Sequence, residues 1–263
     1  MEPSPTPPAG FELLTHRTVG APRWGIPSAI AVVGIWLGLS LLLAVPLVLS
    51  GAPLFLLDKE PDHLYVVLSS ALPSVAMGAA AIVVSKRKGN GPRNDFGLRF
   101  DLRAIGIGIA AGVGMMIAAS IIAAAVMATG MDIPVAADEV FRFISDNTAA
   151  AALFIVTVVA IAPITEELAY RGIWFGAIER KYSARWAMLI SSVMFAALHF
   201  EPQRLPILLT LGLALGELRL RTQSLTACIS AHATINTAAA AGMLLSSNLN
   251  YRSEEHTSEL QSH

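Results

Sequence analysis

Residues 26–50 read IPSAIAVVGIWLGLSLLLAVPLVLS, a run of 25 residues without a charged side chain. A helix needs about 20 mostly apolar residues to cross the hydrocarbon core of a bilayer. The run is also too long for the apolar core of a cleaved signal peptide, which spans roughly 7–15 residues. It therefore predicts an uncleaved membrane-spanning helix.

The composition of the whole chain agrees with a membrane protein. Of its 263 residues, 54% are hydrophobic and 14% are charged, and the mean hydropathy is +0.61. An ordinary soluble domain carries about 25% charged residues. These values exclude a disordered or collagen-like chain, and the single cysteine, Cys228, excludes an intramolecular disulfide. The net charge of −1 argues against a nucleic-acid partner.

Further apolar stretches follow along the chain. Two of them, 187–200 and 205–218, are short. At 1.5 Å per residue each reaches only about 21 Å of the roughly 30 Å core, so we expect them to tilt or to meet in a turn near residues 201–203. We predict an all-α, polytopic transmembrane helix bundle of about seven segments. The predicted segments are 26–50, 64–85, 104–129, 149–178, 187–200, 205–218 and 224–246.

The basic residues predict the orientation of this bundle. With the N-terminus inside, thirteen Lys and Arg fall on cytoplasmic segments and four on outer segments. Cytoplasmic loops of membrane proteins carry such an excess. The N-terminus is therefore predicted to be cytoplasmic.

The chain is expected to divide into four parts. Residues 1–25 are predicted to be a disordered cytosolic tail, residues 26–130 a three-helix membrane region and residues 149–246 a second membrane domain. The last residues, 252–263, read RSEEHTSELQSH, which resembles the translation of a sequencing-library adapter. We expect a non-native tail there, with a genuine polar tail as the alternative, and keep it out of any site.

Three polar motifs interrupt the apolar segments of the second half. Residues 166–171 read EELAYR, residues 195–199 read FAALH and residues 232–236 read HATIN. Ionisable groups inside a membrane are costly, so each is a candidate functional group. We estimate the depth of each motif from its distance along the helix to the nearest cytoplasmic basic residue. The depth is about 21 Å for Glu166, about 21 Å for His199 and about 17 Å for His232. One convergent site is predicted.

Helix geometry assigns a direction to each side chain. Glu167 and Arg171 are i and i+4, so they share a face and can pair. Glu166 is rotated by about 100° and is expected to face a cavity. His232 and Asn236 are also i and i+4, which stacks two polar groups on one face.

These residue types suit the hydrolysis of an amide bond. A buried Glu can act as general base on water, a His can orient that water, and an Asn amide with a His N–H can stabilise an oxyanion. The same Glu166, His199 and His232 could instead hold zinc with an open position for water, although the HExxH motif is absent. A glutamate pair alone could serve proton transport.

EExxxR, FxxxH and HxxxN on successive helices resemble the CAAX prenyl protease and bacteriocin-processing family of intramembrane proteases (CPBP, also called Abi). The resemblance covers about residues 149–246, and residues 95–99, DFGLR, are similar to a stretch common in bacterial members. It implies a membrane-embedded endopeptidase that cleaves a peptide or a lipidated protein, as in CAAX processing or bacteriocin-type maturation. It also implies a bacterial plasma membrane. Membrane lipid is the other expected partner.

The resemblance also implies a role for each motif residue. Glu166 and His199 would activate water, while His232 and Asn236 would form the oxyanion site. The flanking Glu167 and Arg171 would support the helix and orient the substrate. Although the family is often called a metalloprotease, the resemblance favours a metal-free glutamate mechanism, with zinc as the alternative. A non-catalytic immunity or sequestering protein and a carboxylate-based transporter remain alternative functions.

Overall fold

The structure is a computed structural model that describes residues 20–49 and 62–261, with side chains described for 20–45 and 62–245. Every regular element within these ranges is helical, which confirms the predicted all-α bundle. The helices are α1 (Ile26–Leu49), α2 (His63–Lys88), α3 (Pro92–Asp95), α4 (Leu102–Met127), α5 (Ala136–Ile144), α6 (Thr148–Lys181), α7 (Ala184–Ala197), α8 (Leu205–Thr222) and α9 (Leu225–Gln261).

Five of the described helices, α1, α2, α4, α6 and α9, are long and apolar enough to cross a membrane. The protein is thus an integral membrane protein. Helix α7 has only 14 residues, and α8 has 18 residues but carries three charged side chains near its end. A 3₁₀ turn at Pro202–Arg204 joins them. The predicted short segment before the turn and the turn itself are confirmed, whereas the second segment continues as helix to Thr222, four residues past its predicted end.

Glycines set how closely the helices approach. A Cβ on Gly112 of α4 would lie 2.6 Å from the carbonyl oxygen of Ala231 on α9, and one on Gly108 would lie 2.4 Å from that of Ala227. Gly108 and Gly112, two small residues four positions apart, therefore let α4 pack closely against α9 of the same chain. Gly78 of α2 plays the same part against α6. The two predicted membrane regions thus form one bundle.

The amphipathic helix α5 does not turn its apolar face to lipid. Phe141 is 4% exposed and Ile144 fully buried, and both pack with Phe154 of α6 and Val67 of α2. The sequence around Val140, Phe141, Phe143 and Ile144 predicts an amphipathic helix on the membrane surface, with an ordinary loop as the alternative. The helix is present but its apolar side packs on other helices, since a lipid surface and a helix surface satisfy the same pattern.

The segment directly before α1 packs against the bundle. Trp24 is 2% exposed, the Arg180 guanidinium lies 3.8 Å from its ring centroid, and Arg180 Nη2 donates to the Trp24 carbonyl at 2.6 Å. Burial of a large aromatic ring removes apolar surface from water, and a cation over the ring face adds an attractive interaction. The predicted disordered tail over residues 1–25 is therefore wrong for residues 20–25, while residues 1–19 lie outside the described part.

At the other end, α9 continues as helical backbone to Gln261. Its side chains beyond residue 245 lie outside the described part. The proposed non-native origin of residues 252–263 stays a prediction.

Candidate active site

Helix α6 carries the first motif and is locally widened by a π-helical turn, which holds one extra residue. Residues Thr157–Ile161 form a π-helical turn, in which Ala162 donates to the carbonyl of Thr157, five residues back. Pro163 follows and has no N–H. The carbonyl of Val158 would normally accept from the N–H of Ala162 or, in a π-helical turn, of residue 163. Ala162 already donates to Thr157 and Pro163 has no N–H, so this carbonyl has no donor from either residue. Such bulges inside α-helices frequently mark functional sites.

Asn236 of α9 satisfies that carbonyl. Its Nδ2 donates to the Val158 oxygen at 2.8 Å. An amide NH₂ has two N–H groups, so one remains for another acceptor. Pro163 and Asn236 thus act together although 73 positions separate them in the chain.

Glu167 is the centre of a fully buried polar cluster. Its Oε1 accepts from Arg171 Nη1 at 3.1 Å and lies 3.0 Å from His232 Nδ1. Arg171 Nη2 donates to the carbonyl of Gly212 on α8 at 3.0 Å. Both side chains of the ion pair have no exposed surface. The predicted Glu167–Arg171 pair is confirmed, and it joins α6 to α8 and α9.

The contact with Glu167 orients the His232 ring. Because a carboxylate only accepts, Nδ1 of His232 carries the proton in this contact. The other ring nitrogen, Nε2, is then directed toward Glu166, whose Oε2 lies 3.9 Å away.

Glu166 faces a cavity of about 240 Å³, as its rotation from Glu167 predicts. Its side chain is 20% exposed. His199 lines the same cavity, so two of the predicted motifs meet there. The remaining lining residues are Trp36, Met77, Tyr170, Leu198 and Phe200.

His199 lies just beyond the last turn of α7, and its own side chain caps that turn. Its Nδ1 lies 2.6 Å from the carbonyl oxygen of Phe195. A carbonyl accepts, so Nδ1 holds the proton in the neutral ring and Nε2 stays free as an acceptor. The following residue, Phe200, has φ +56°, a left-handed conformation that ends the helix at a cost for a bulky residue.

The ring of Phe195 packs between the three motifs. Its centroid lies 4.6 Å from that of His199 and 5.6 Å from that of His232. The Arg171 guanidinium carbon lies 4.6 Å from the same centroid. The first residue of the FxxxH motif thus contacts both imidazoles and the guanidinium of the buried ion pair.

The alternative zinc site was tested against this geometry. No group of three His, Cys, Asp or Glu side chains within the described residues is arranged to hold a metal ion. Because Nδ1 of His232 contacts Glu167, only Nε2 of that ring would be available to a metal. As placed, the described side chains do not form a three-ligand zinc site.

Comparison with known proteins shows which family this region resembles. Residues 148–238 match the model of the type II CAAX prenyl endopeptidase Rce1-like family. They form an Rce1-like region. All three motifs lie inside it, so the predicted resemblance to CPBP proteases is confirmed. The helices of the Rce1-like region are α6, α7, α8 and the first part of α9.

One relative supports the same conclusion. The Bacillus subtilis (strain 168) protein named "Putative membrane peptidase YdiL" is 35% identical over 94 residues, which are 36% of this chain and 38% of that protein. The chain thus spans well under half the length of this relative. No solved structure matches the chain.

Sequence reasoning missed several residues of the site. It did not single out Pro163, although a proline inside a span predicts a local opening of the helix. It also missed the step from Gly212 to Gly216 in α8, where added Cβ atoms would meet Ser192 at 3.1 Å and Met188 at 2.7 Å. Nothing in the sequence marks Tyr170 as a residue that lines the cavity, since an aromatic residue in a membrane span most often packs in the core.

Proposed function

We propose that this protein is an intramembrane endopeptidase that hydrolyses a peptide bond of a membrane-associated substrate. One observation carries the proposal: Glu166 lines a partly enclosed cavity together with His199, and lies beside Nε2 of His232. A carboxylate and two imidazoles from three helices meet where water can be held away from bulk solvent.

The residues divide into two roles. Glu166 accepts a proton from the attacking water, and the free Nε2 of His199 orients that water. The oxyanion that forms on the scissile carbonyl is stabilised by the second N–H of Asn236 and by the Nε2–H of a doubly protonated His232 ring, because the Nδ1–H of that ring already donates to Glu167. After attack, Glu166 returns the proton to the leaving amine.

Glu167 and Arg171 act as positioning residues. Neither lines the cavity, and both are fully buried. Their contacts hold His232 in one orientation and lock α6 against α8. They support the reaction by preorganising the groups that touch the substrate.

The walls of the cavity favour an apolar substrate. Trp36, Met77, Leu198 and Phe200 line it beside the charged Glu166. A hydrophobic peptide or a lipidated C-terminus would bury apolar surface against these side chains. We propose a prenylated CAAX-like protein or a bacteriocin-type peptide as the substrate class, cleaved in the plasma membrane of a bacterium with the N-terminus of the enzyme in the cytoplasm.

The experiment compares cleavage of a quenched-fluorescent farnesylated CAAX peptide and of the same peptide without the lipid. Glu166→Gln is expected to lower the rate by at least about 10²-fold, the usual contribution of a general base. Glu217→Gln removes an ion pair with Arg221 whose side chains are 43% and 77% exposed, and serves as the matched control. Cleavage by Glu166→Gln as fast as by the wild type would overturn the proposal, because the carboxylate would then not be the base; a non-catalytic protein of the same fold predicts no cleavage by the wild type.

A further inference from the structure

A second polar pocket lies at the end of the bundle opposite the turn Pro202–Arg204. It holds about 400 Å³ and is built where α8 ends, α9 begins and the loop from α3 to α4 crosses them. None of the three motifs contributes to it. Its charged lining residues are Arg93, Asp95, Arg99, Asp101 and Arg219.

Arg219 is the unusual member of this set. The residue is only 7% exposed, yet its Nε and Nη1 are buried without a hydrogen-bond partner among the described residues. A guanidinium has five N–H donors and stays charged. Leaving such a charge buried and unpaired costs several kcal/mol unless an anion compensates it.

The two carboxylates of the pocket are occupied elsewhere. Oδ2 of Asp95 accepts from Ser85 Oγ at 2.6 Å and from the Asn90 amide at 3.0 Å. Asp101 caps α4 by accepting from the Arg103 N–H at 2.9 Å. With three arginines against two aspartates, the pocket carries a net positive charge.

The geometry points to a binding site for a phosphate group at Arg219, supplied by the headgroup of an anionic lipid. Arginine binds phosphate oxygens through two parallel N–H groups. The N-terminus of the long helix α9, at Ser224, also lines the pocket and favours an anion. The inference is independent of the proposed protease activity.

The surroundings favour a lipid over a dissolved anion. Phe100 and Leu102 flank Asp101 and are 86% and 73% exposed. Large apolar side chains this exposed beside a polar pocket are suited to acyl chains next to a headgroup. Three basic residues at the end of α2, Lys86, Arg87 and Lys88, lie on the same side of the bundle.

The test measures thermal unfolding of the full chain in detergent with added phosphatidylglycerol, phosphatidylcholine or inorganic phosphate. We expect phosphatidylglycerol to raise the Tm of the wild type by roughly 5 °C, as saturating binding would. Phosphatidylcholine should not raise it. Arg219→Gln should lose the rise, whereas Arg142→Gln, which removes an exposed charge on α5 outside the pocket, should keep it.

Further measurements in the same experiment distinguish a lipid headgroup from a free phosphate ion. If inorganic phosphate alone gives the same rise, and Arg219→Gln abolishes it, the site takes a free anion. A lipid ligand predicts instead that Phe100→Ser weakens the response to phosphatidylglycerol. Native mass spectrometry of bound phosphatidylglycerol gives a readout that does not depend on variant stability. Retention of lipid and of the Tm rise by Arg219→Gln would overturn the inference.

Discussion

Nδ1 of His232 lies 3.0 Å from Oε1 of Glu167, a contact that ties α9 to α6 across 65 positions of the chain. The same carboxylate oxygen accepts from Arg171. One buried glutamate therefore sets both the orientation of the His232 imidazole and, through Arg171, the packing of a third helix, α8.

Removing one partner of the buried ion pair should destabilise the protein strongly. Arg171→Met leaves the Glu167 carboxylate buried with one donor fewer, which is expected to cost about 3–5 kcal/mol of unfolding free energy. The double variant Glu167→Leu/Arg171→Met should lose less than the sum of the single variants. Denaturant unfolding in detergent micelles gives the free energy of unfolding of the wild type, the two single variants and the double variant. Strictly additive losses would show that the pair is not coupled.

Asn236 and Pro163 should be coupled through the Val158 carbonyl. Asn236→Ala leaves that carbonyl without its donor and is expected to cost about 1–3 kcal/mol. Pro163→Ala restores an N–H in the same turn, so Asn236→Ala should cost less on that background. A double-mutant cycle of these two substitutions, with the free energy of unfolding as the measured quantity, tests this coupling. An undiminished loss on the Pro163→Ala background would contradict the assignment.

The contact between α4 and α9 should depend on individual glycines. Gly112→Ala places a Cβ 2.6 Å from the Ala231 oxygen and should lower stability by about 1–3 kcal/mol through overpacking. Gly114 has open space within 4 Å of its added Cβ, so Gly114→Ala should leave stability unchanged or slightly higher. Both are measured as Tm in micelles. Equal destabilisation by the two substitutions would refute the packing argument.

Chelation should leave the proposed peptidase activity intact. Glu166 and the two imidazoles are not arranged as a three-ligand set among the described residues, and the proposed proton transfers need only the carboxylate. Cleavage after treatment with 1,10-phenanthroline, together with metal analysis of the active protein, checks this. Loss of activity that returns with zinc alone would support the zinc alternative.

Much of the fold follows from local sequence patterns. Apolar runs long enough for a bilayer predict α1, α2, α4, α6 and α9, because span length depends only on helix rise and membrane thickness. The rotation between Glu166 and Glu167 likewise follows from helix periodicity. Trp24 does not, since a single aromatic residue in a polar stretch becomes buried only when Arg180 and the bundle surface lie beside it.

Within the site, the residue types and their helices are readable from the motifs EExxxR, FxxxH and HxxxN. Sequence alone determined that this chain is a bundle of membrane helices with polar groups at one depth. Only the tertiary structure decided that Glu167 holds His232, that Phe195 contacts both imidazoles and that Asn236 bonds to the Val158 carbonyl freed by Pro163. These contacts join residues far apart in the chain, and no local periodicity encodes which helix faces meet when the bundle packs.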